Sequence, residues 1–377
     1  MSRPHRLQLL DLCRGLGQAS VVLFHVIGFY SGSLVLRLMP QQASILDFFF
    51  IASGFFASYS YARRPAKHRV TSIELIAARA CRVYPMAILG TSIAFAGLIL
   101  HLIHQGDTGQ LGPAIYAYIF GCLLVPVHTS LTSFGVQNLF PLDSPLWFIF
   151  FDFLAYVLFA LLLRALPKKA LGAIVVLAGI GFWRAALHHD NLYFSSYWSG
   201  ASATMPRVIF DVAMGSLIFR FYRPDIRINR LFWFVPVSLL LFVMFVPIPA
   251  FSPYSGAFQA FSSTVLMPAA LALAVCIEVP EILRLPAALG GRISMAVYAL
   301  HLPIVAQLYA LRWSLHLRGA EIVALLGAEF VLAIGVAYFV TVYLDEPLRA
   351  LLSNTRRRYF AARFPHAPEN RASASFP

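Results

Sequence analysis

The most constraining feature of this chain is the run from Gly15 to Leu36, which contains no Asp, Glu, Lys or Arg. Two further stretches, 108–142 and 231–277, are also uncharged. A helix needs about 20 mostly apolar residues to cross the hydrocarbon core of a bilayer. Because lipid offers no hydrogen-bond partners to the backbone, such runs predict membrane-spanning α-helices.

The composition indicates the same structural class. Hydrophobic residues make up 59% of the 377 residues and charged residues 12%. That charged fraction is about half of what a soluble domain carries. Long apolar runs also argue against a transmembrane β-barrel, whose strands give short alternating segments. The sequence therefore predicts an all-α, polytopic integral membrane protein.

Charged and proline-containing loops divide the apolar sequence into about ten predicted membrane-spanning helices. They cover residues 7–30, 43–61, 84–104, 145–163, 170–187, 204–221, two segments within 231–277, 293–311 and 322–344. The segment 113–127 is apolar but short, and we expect it to be re-entrant or interfacial. If it crosses the membrane, the number of spans becomes eleven.

Lys and Arg cluster in short loops between the predicted spans, as the positive-inside rule expects of cytoplasmic loops. With ten spans, every strongly basic loop and both termini fall on one side. We expect that side to be the cytoplasm and the membrane to be a bacterial inner membrane. Topology thus explains most of the net charge of +13, and no nucleic-acid partner is expected.

The chain is expected to contain one transmembrane domain, residues 1–350, followed by a basic, disordered cytoplasmic tail, residues 351–377. Four cysteines lie in or beside apolar segments without metal-ligand spacing. They are interpreted as small core residues. We expect no metal site and no bound cofactor.

The first predicted span carries a polar stripe made of Asp11, Arg14, Gln18 and His25. At about 100° per residue, Arg14 and His25 lie about 20° apart in projection and about 16 Å apart along the axis. Polar groups facing lipid are costly, so this stripe must face protein or a cavity. Arg14 alone could be an interfacial anchor and His25 alone a core histidine, but together they favour a functional site.

Two other motifs lie near the expected cytoplasmic side. Arg79 and Arg82 share one face of a predicted helix, and the fork of a guanidinium matches the geometry of phosphate. A positive-inside anchor is the alternative interpretation of these arginines. In the second span, Gly54 follows Ser53 and is expected to let two helices approach closely.

Polar side chains recur inside two later spans. Asp152 and Tyr156 lie one helical turn apart, and Trp147 precedes them. The ninth span carries three polar residues on one face: Ser294, Tyr298 and His301. An acidic group inside a span is a functional candidate by default. An internal ion pair and an interhelical hydrogen-bond network are the structural alternatives.

In their order and spacing these motifs resemble the membrane acyltransferase-3 family, over about residues 9–348. The matching positions are Arg14 and His25 with ten residues between them, Ser53 to Phe55, Arg79 and Arg82 before Tyr84-Pro85, the set Ser294, Tyr298 and His301, and Glu346-Pro347. Asp152, five residues after Trp147, stands where the family has Glu. This replacement shortens the reach of the carboxylate by one methylene.

The resemblance implies an O-acyltransferase that moves an acyl group, most simply acetyl, from cytosolic acyl-CoA to a hydroxyl of a cell-envelope or exported carbohydrate. Acyl-CoA is then a co-substrate, and the expected partners are acyl-CoA, the carbohydrate acceptor and the lipid bilayer. The residues alone also fit a transporter or flippase for a polar or anionic solute, in which the same buried charges form a binding and proton-relay site.

The resemblance also implies roles for individual residues. His25 would be the general base, a role that suits an imidazole, and Asp152 a second catalytic residue. Arg14, Arg79 and Arg82 would bind the donor. Substrate-binding or structural polar roles fall to the remaining candidates: Asp11, Gln18, Ser53, Trp147, Tyr156, Ser294, Tyr298 and His301.

Overall fold

The computed structural model of the protein describes residues 7–63, 71–107, 109–131, 137–315 and 319–363, and this part of the chain is mostly helical. The α-helices are α1 Gln8–Tyr30, α2 Gly32–Leu38, α3 Ile45–Ala62, α4 Ser72–Gln105, α5 Leu111–Cys122, α6 Leu146–Leu161, α7 Lys168–His189, α8 Ala201–Phe221, α9 Phe234–Phe245, α10 Pro253–Phe261, α11 Met267–Ala274, α12 Arg284–Leu315, α13 Ala320–Val340 and α14 Glu346–Arg363. Short π-helical segments, Ser262–Leu266 and Thr341–Asp345, join α10 to α11 and α13 to α14. The described residues form two isolated backbone bridges and no strand.

Nine helical segments of the described chain are long and apolar enough to cross a membrane. They are Gln8–Tyr30, Gln42–Ala62, Ser72–Gln105, Leu146–Ala165, Lys168–His189, Trp198–Phe221, Pro253–Ala274, Glu281–Tyr309 and Ala320–Phe360. The prediction of an all-α, polytopic membrane protein is confirmed. The predicted seventh span is a shorter apolar helical segment, Arg230–Phe245.

The ends of α4 illustrate how the sequence sets helix boundaries. At its start, the Thr71 hydroxyl accepts a hydrogen bond from the backbone N–H of Glu74 at 3.2 Å, as a helix N-cap should. At its end, Gly106 adopts φ 70°, a left-handed conformation that glycine tolerates best. The 34-residue helix between them carries Arg79 and Arg82 on its N-terminal half.

The segment 113–127 forms no long helix. Its helical part belongs to α5, which has 12 residues and is therefore about 18 Å long. The hydrocarbon core of a bilayer is about 30 Å thick, so α5 is too short to cross it as a straight helix. It packs against α4.

Two close helix contacts organise the bundle. Helix α1 packs along α12 at Gly15 and Gly290, where a Cβ added to Gly15 would lie 2.9 Å from the Cα of Gly290. Helix α3 packs along α8 at Gly54 and Gly215, where an added Cβ would meet backbone atoms of the opposite helix. The close approach expected at Gly54 is therefore present.

A buried ion pair also joins α3 to α8. The Arg207 Nε donates to Asp47 Oδ1 at 2.5 Å, and both side chains are 0% exposed. The remaining Arg207 donors reach the carbonyls of Ala43 and Leu192 and the hydroxyl of Ser195. One guanidinium thus ties the start of α3 and the loop after α7 to α8.

The boundary expected at residue 350 falls inside a helix. Residues 351–363, placed in the disordered tail by the sequence, continue α14. Helix α14 packs against α4, and Arg356 Nη1 lies 3.3 Å from Glu74 Oε1. These contacts with α4 stabilise residues 351–363 as a helix. The remainder of the predicted tail, residues 364–377, lies outside the described residues.

The α3–α8 contact gives a stability prediction. Gly54→Ala should destabilise the protein by about 1–3 kcal/mol, because the added methyl meets the backbone of Val212 and the helices must separate. The matched control is Gly172→Ala in α7, where an added Cβ meets no atom within 4 Å and alanine is the better helix former. Thermal unfolding of both variants in detergent measures the difference, and equal melting temperatures would contradict the packing argument.

Candidate functional site

The contact between α1 and α12 brings two predicted polar faces together. Arg14 Nη2 donates to the hydroxyl of Ser294 at 2.8 Å, and Gln18 Nε2 donates to the same oxygen. Further along the two helices, Nε2 of His301 lies 3.2 Å from Nδ1 of His25. The stripe predicted on the first span thus faces protein, as its burial cost requires.

The candidate site contains a cavity of about 300 Å³, here called the polar cavity. Helices α1, α3, α4, α6 and α12 contribute side chains to it. Its polar lining residues are Asp11, Arg14, Gln18, Ser53, Ser60, Arg79, Arg82, Asp152, Ser294 and Tyr298. Thirteen candidates in five motifs were predicted from the sequence, and nine of them line this cavity: Asp11, Arg14, Gln18, Ser53, Arg79, Arg82, Asp152, Ser294 and Tyr298. The other four, His25, Trp147, Tyr156 and His301, do not line it.

Two arginines of the polar cavity are already paired. Arg79 Nη2 forms an ion pair with Asp152 Oδ2 and donates to Ser53 Oγ at 3.2 Å. The Arg79 guanidinium also lies 5.3 Å from the ring centroid of Tyr156. Arg14 Nη1 lies 3.4 Å from Asp11 Oδ1. Both guanidinium charges are therefore balanced by a neighbouring carboxylate.

Arg82 differs from these two arginines. Its side chain is exposed and makes no hydrogen bond or ion pair with any residue that the structure describes. The cavity is lined by three arginines and two aspartates, and Arg82 carries the excess positive charge. An unpaired guanidinium in a concave site is suited to bind an anion.

A second cavity, of about 420 Å³, lies toward the opposite end of α1, and its lining is more apolar. We call it the aromatic cavity. Its polar or aromatic lining residues include Phe24, His25, Phe29, Asn138, Ser144, Trp147, Tyr193, Tyr197, Phe251 and Tyr298. In the described structure, Tyr298 is the side chain that lines both cavities. The two cavities therefore meet at this one ring.

The protonation of the histidine pair follows from its partners. Nδ1 of His301 lies 2.9 Å from the carbonyl oxygens of Val297 and Tyr298, which can only accept, so this nitrogen carries the proton. In the neutral ring, Nε2 of His301 is then an acceptor. It accepts from Nδ1 of His25, which also lies 2.9 Å from the carbonyl of Val21.

This arrangement leaves Nε2 of His25 without a proton. That nitrogen has no partner among the described residues, and the His25 side chain lines the aromatic cavity. A neutral imidazole with one free lone pair, held by a hydrogen bond on its other nitrogen, is the arrangement of a general base and its orienting group. The sequence placed His301 on the right face but did not reveal this pairing.

Sequence reasoning missed Asp143, which directly precedes Ser144-Pro145 and looked like an ordinary loop residue. Its side chain is 0% exposed, and neither carboxylate oxygen has a partner among the described residues. Burial raises the pKa of the Asp143 carboxyl well above its usual range. Sequence reasoning also missed Arg207, because a lone arginine in a span gives no sign of its partner.

Comparison with known proteins identifies the family. A family model described as an acyltransferase domain, acyltransferase 3, matches residues 7–345. The chain belongs to the acyltransferase-3 family. The resemblance inferred from the motifs is therefore confirmed, and family membership supports acyl transfer as the activity.

A curated relative is "Protein 2 in picA locus" of Rhizobium radiobacter. It is 28% identical over 172 residues, which are 42% of this acyltransferase-3 chain and 83% of the relative. No solved structure matches the chain at a significant level. Within the described residues, no group of three or more His, Cys, Asp or Glu could hold a metal ion.

Asp143 gives a prediction about pH. Because its folded-state pKa is raised, the unfolded state loses its proton first, and the folded state is progressively destabilised as the pH rises above the ordinary carboxyl range. Asp143→Asn removes this effect. The variant should melt higher than the wild type at pH 8, and the difference should shrink toward pH 4.5.

Thermal unfolding across this pH range measures the Asp143 effect. The matched control is Asp225→Asn, which neutralises an exposed carboxylate and should change the pH profile little. If Asp143→Asn melts lower than the wild type at pH 8, the carboxylate is ionised and stabilising, and the argument from burial fails.

The Arg79–Asp152 pair gives a prediction about charge. Asp152→Asn leaves a largely buried guanidinium uncompensated and should cost on the order of 3 kcal/mol of stability. Asp152→Glu keeps the charge and should cost less. Adding Arg79→Gln to Asp152→Asn should recover part of the loss, which thermal unfolding of the double variant measures. A strictly additive double variant would show that the two side chains are not coupled.

Proposed function

We propose that this acyltransferase-3 protein is an integral-membrane O-acyltransferase. It moves an acyl group, most simply acetyl, from cytosolic acyl-CoA to a hydroxyl of a cell-envelope or exported carbohydrate. The observation that carries the proposal is that a cavity with an unpaired arginine and a cavity with a free imidazole nitrogen meet at Tyr298. A two-substrate reaction needs such a meeting point between donor and acceptor.

The polar cavity would hold the donor. The guanidinium of Arg82, which pairs with no described residue, would bind a phosphate of acyl-CoA bidentately. Arg14 and Arg79, each paired with a carboxylate, add N–H groups to the same lining. Arg14 and His25 lie about 16 Å apart along α1. The long pantetheine arm of coenzyme A suits a donor site that begins at the Arg14 end of α1 and a reacting group at His25.

The aromatic cavity would hold the acceptor. Trp147, Tyr193 and Tyr197 line it, and flat aromatic faces pack well against the apolar faces of sugar rings. Asn138 and Ser144 add hydrogen-bonding groups to the same lining. A mostly apolar site with a few polar groups that fix orientation is the usual form of a small-molecule site.

The chemistry would centre on Nε2 of His25. This nitrogen takes the proton of the acceptor hydroxyl while the oxygen attacks the thioester carbonyl, and the imidazolium then protonates the departing thiolate of coenzyme A. His301 accepts the hydrogen bond from Nδ1 of His25 and so keeps the ring in the reactive tautomer. His301 is thus a positioning residue rather than a group that touches substrate.

The basic loops support a cytoplasmic position for the polar-cavity end of the bundle, by the positive-inside rule. With that orientation both termini lie in the cytoplasm, and the acceptor binds from the side of the membrane that faces away from the cytoplasm. The membrane in this proposal is a bacterial inner membrane. The acyl group would then cross within the protein, from one cavity to the other.

A transporter or flippase for an anionic solute is the second candidate. It is favoured by the same pair of cavities, because sites that open toward opposite ends of a bundle also suit alternating access. The two functions differ in one observable. Only the acyltransferase cleaves a thioester and releases the free thiol of coenzyme A.

The test uses the purified full chain in lipid vesicles with labelled acetyl-CoA and an envelope carbohydrate fraction. The wild type should release free thiol and label the carbohydrate, and His25→Ala should abolish both because the base is gone. His301→Ala should lower kcat by about tenfold or more, with a smaller change in KM and a changed pH profile. The control His188→Ala removes an exposed histidine outside both cavities.

Two results would count against this function. Wild-type turnover in a correctly folded His25→Ala variant would remove His25 from the reaction. Solute flux across the vesicle without thioester cleavage would favour the transporter.

A further inference from the structure

A third cavity, of about 290 Å³, lies between α4 and α14. It is lined by Ala78, Cys81, Arg82, Arg349, Ala350 and Ser353. Arg82 lines this cavity and the polar cavity, so its guanidinium is shared between the two. We call the third cavity the α4–α14 cleft.

The position of Arg349 in this cleft is fixed by an ion pair with the carboxylate of Asp345. Arg349 Nη2 lies 2.7 Å from Asp345 Oδ2, and the Asp345 side chain is only 1% exposed. The Nε of Arg349 is buried and has no partner in the described structure. The guanidinium is therefore anchored at one end, while the side chain as a whole is 26% exposed and lines the cleft.

The walls of the cleft are held together independently of Arg349. Helix α14 packs against α4, and Arg356 donates to the carbonyl of Glu74 and pairs with its carboxylate. Ser353 adds a hydroxyl donor to the lining. The cleft is thus a built surface between two docked helices.

The charges around the cleft favour an anion. The nearby arginines Arg14, Arg79 and Arg349 each pair with a carboxylate, from Asp11, Asp152 and Asp345 respectively. Arg82 pairs with no residue that the structure describes and is the excess cation. Two guanidinium groups in one cavity, with one positive charge unbalanced, suit a phosphoryl group, whose oxygens each guanidinium can bind bidentately.

We propose that Arg82 and Arg349 form a phosphoryl-binding site in the α4–α14 cleft. The proposal rests on the function proposed above, in which Arg82 binds the acyl-CoA donor. The phosphoryl group is then the 3′-phosphate of coenzyme A, which lies at the nucleotide end of the donor and far from the thioester. The headgroup of an anionic lipid supplies the same chemistry and is the other source to be distinguished.

The experiment compares coenzyme A with dephospho-coenzyme A, which lacks the 3′-phosphate. Calorimetry on the full chain in neutral detergent should give about tenfold or more tighter binding of coenzyme A to the wild type. Arg349→Gln should lose most of this preference because only Arg82 remains in the cleft, and Arg349→Lys should keep more of it. The matched control is Arg358→Gln, which removes an exposed arginine of the same helix outside the cleft and should keep the full preference.

A second arm tests the lipid source. Vesicles of phosphatidylcholine, with and without phosphatidylglycerol, hold the wild type and the same variants, and the rise in melting temperature with phosphatidylglycerol is measured. The cleft would be a lipid site if two results are found together. The rise in melting temperature would be lost in Arg349→Gln but kept in Arg358→Gln, and the protein would show no preference for coenzyme A over dephospho-coenzyme A. These results would overturn the donor assignment. Equal affinity of wild type and Arg349→Gln for coenzyme A, with no lipid effect, would overturn the site itself.

The site and the proposed function can fail separately. An Arg349-dependent preference for coenzyme A in a protein that never cleaves acetyl-CoA would keep the site and reject the acyltransferase. Normal turnover with an unchanged KM for acetyl-CoA in Arg349→Gln would keep the acyltransferase and reject the site. If Arg349→Gln does not fold because Asp345 loses its partner, the affinities for coenzyme A and dephospho-coenzyme A are compared in Arg349→Lys and Arg82→Gln instead.

Discussion

The candidate site depends on the backbone contact between Gly15 of α1 and Gly290 of α12. Side chains at these positions would push the helices apart. The hydrogen bonds on either side of the contact, at Ser294 and between His25 and His301, would then be too long to form. Glycine is therefore required at both positions, because the close approach of the two helices brings the neighbouring polar side chains within hydrogen-bond distance. The polar residues of α1 and α12, which are far apart in sequence, form one network because Gly15 and Gly290 have no side chains to separate the helices.

Much of the fold follows from the sequence, because the lipid environment leaves few alternatives. Uncharged runs predicted the membrane-spanning helices, and helical spacing placed the Arg14–His25 stripe and the Ser294–His301 face correctly. What the sequence left open was which polar groups pair with which. Arg79 and Arg82 look equivalent three residues apart, yet Arg79 is paired with Asp152 while Arg82 pairs with none of the described residues. Pairing is set by tertiary contacts, which helical periodicity does not encode.

The residues that sequence reasoning missed share a physical reason. Asp143 and Arg207 belong to no repeating pattern, and their importance lies in burial. A buried arginine is stable only when its donors are satisfied, and the acceptors for Arg207 come from three separate segments. Similarly, residues 351–363 of α14 were predicted to belong to a basic, disordered tail. Its docking on α4 depends on Glu74, far away in sequence.

The single ring shared by the two cavities has a consequence for the energetics of the cell. Tyr298 packs against Phe148, with ring centroids 4.7 Å apart, and this pair of rings lies where the polar and aromatic cavities meet. A bacterial membrane stores energy as an ion gradient, and each charge that leaks through dissipates about 2.3 kcal/mol per 100 mV. In the proposed acyltransferase, the aromatic layer at Tyr298 would act as an electrical insulator as well as part of the substrate path. Any rearrangement that lets an acyl group pass must keep protons out.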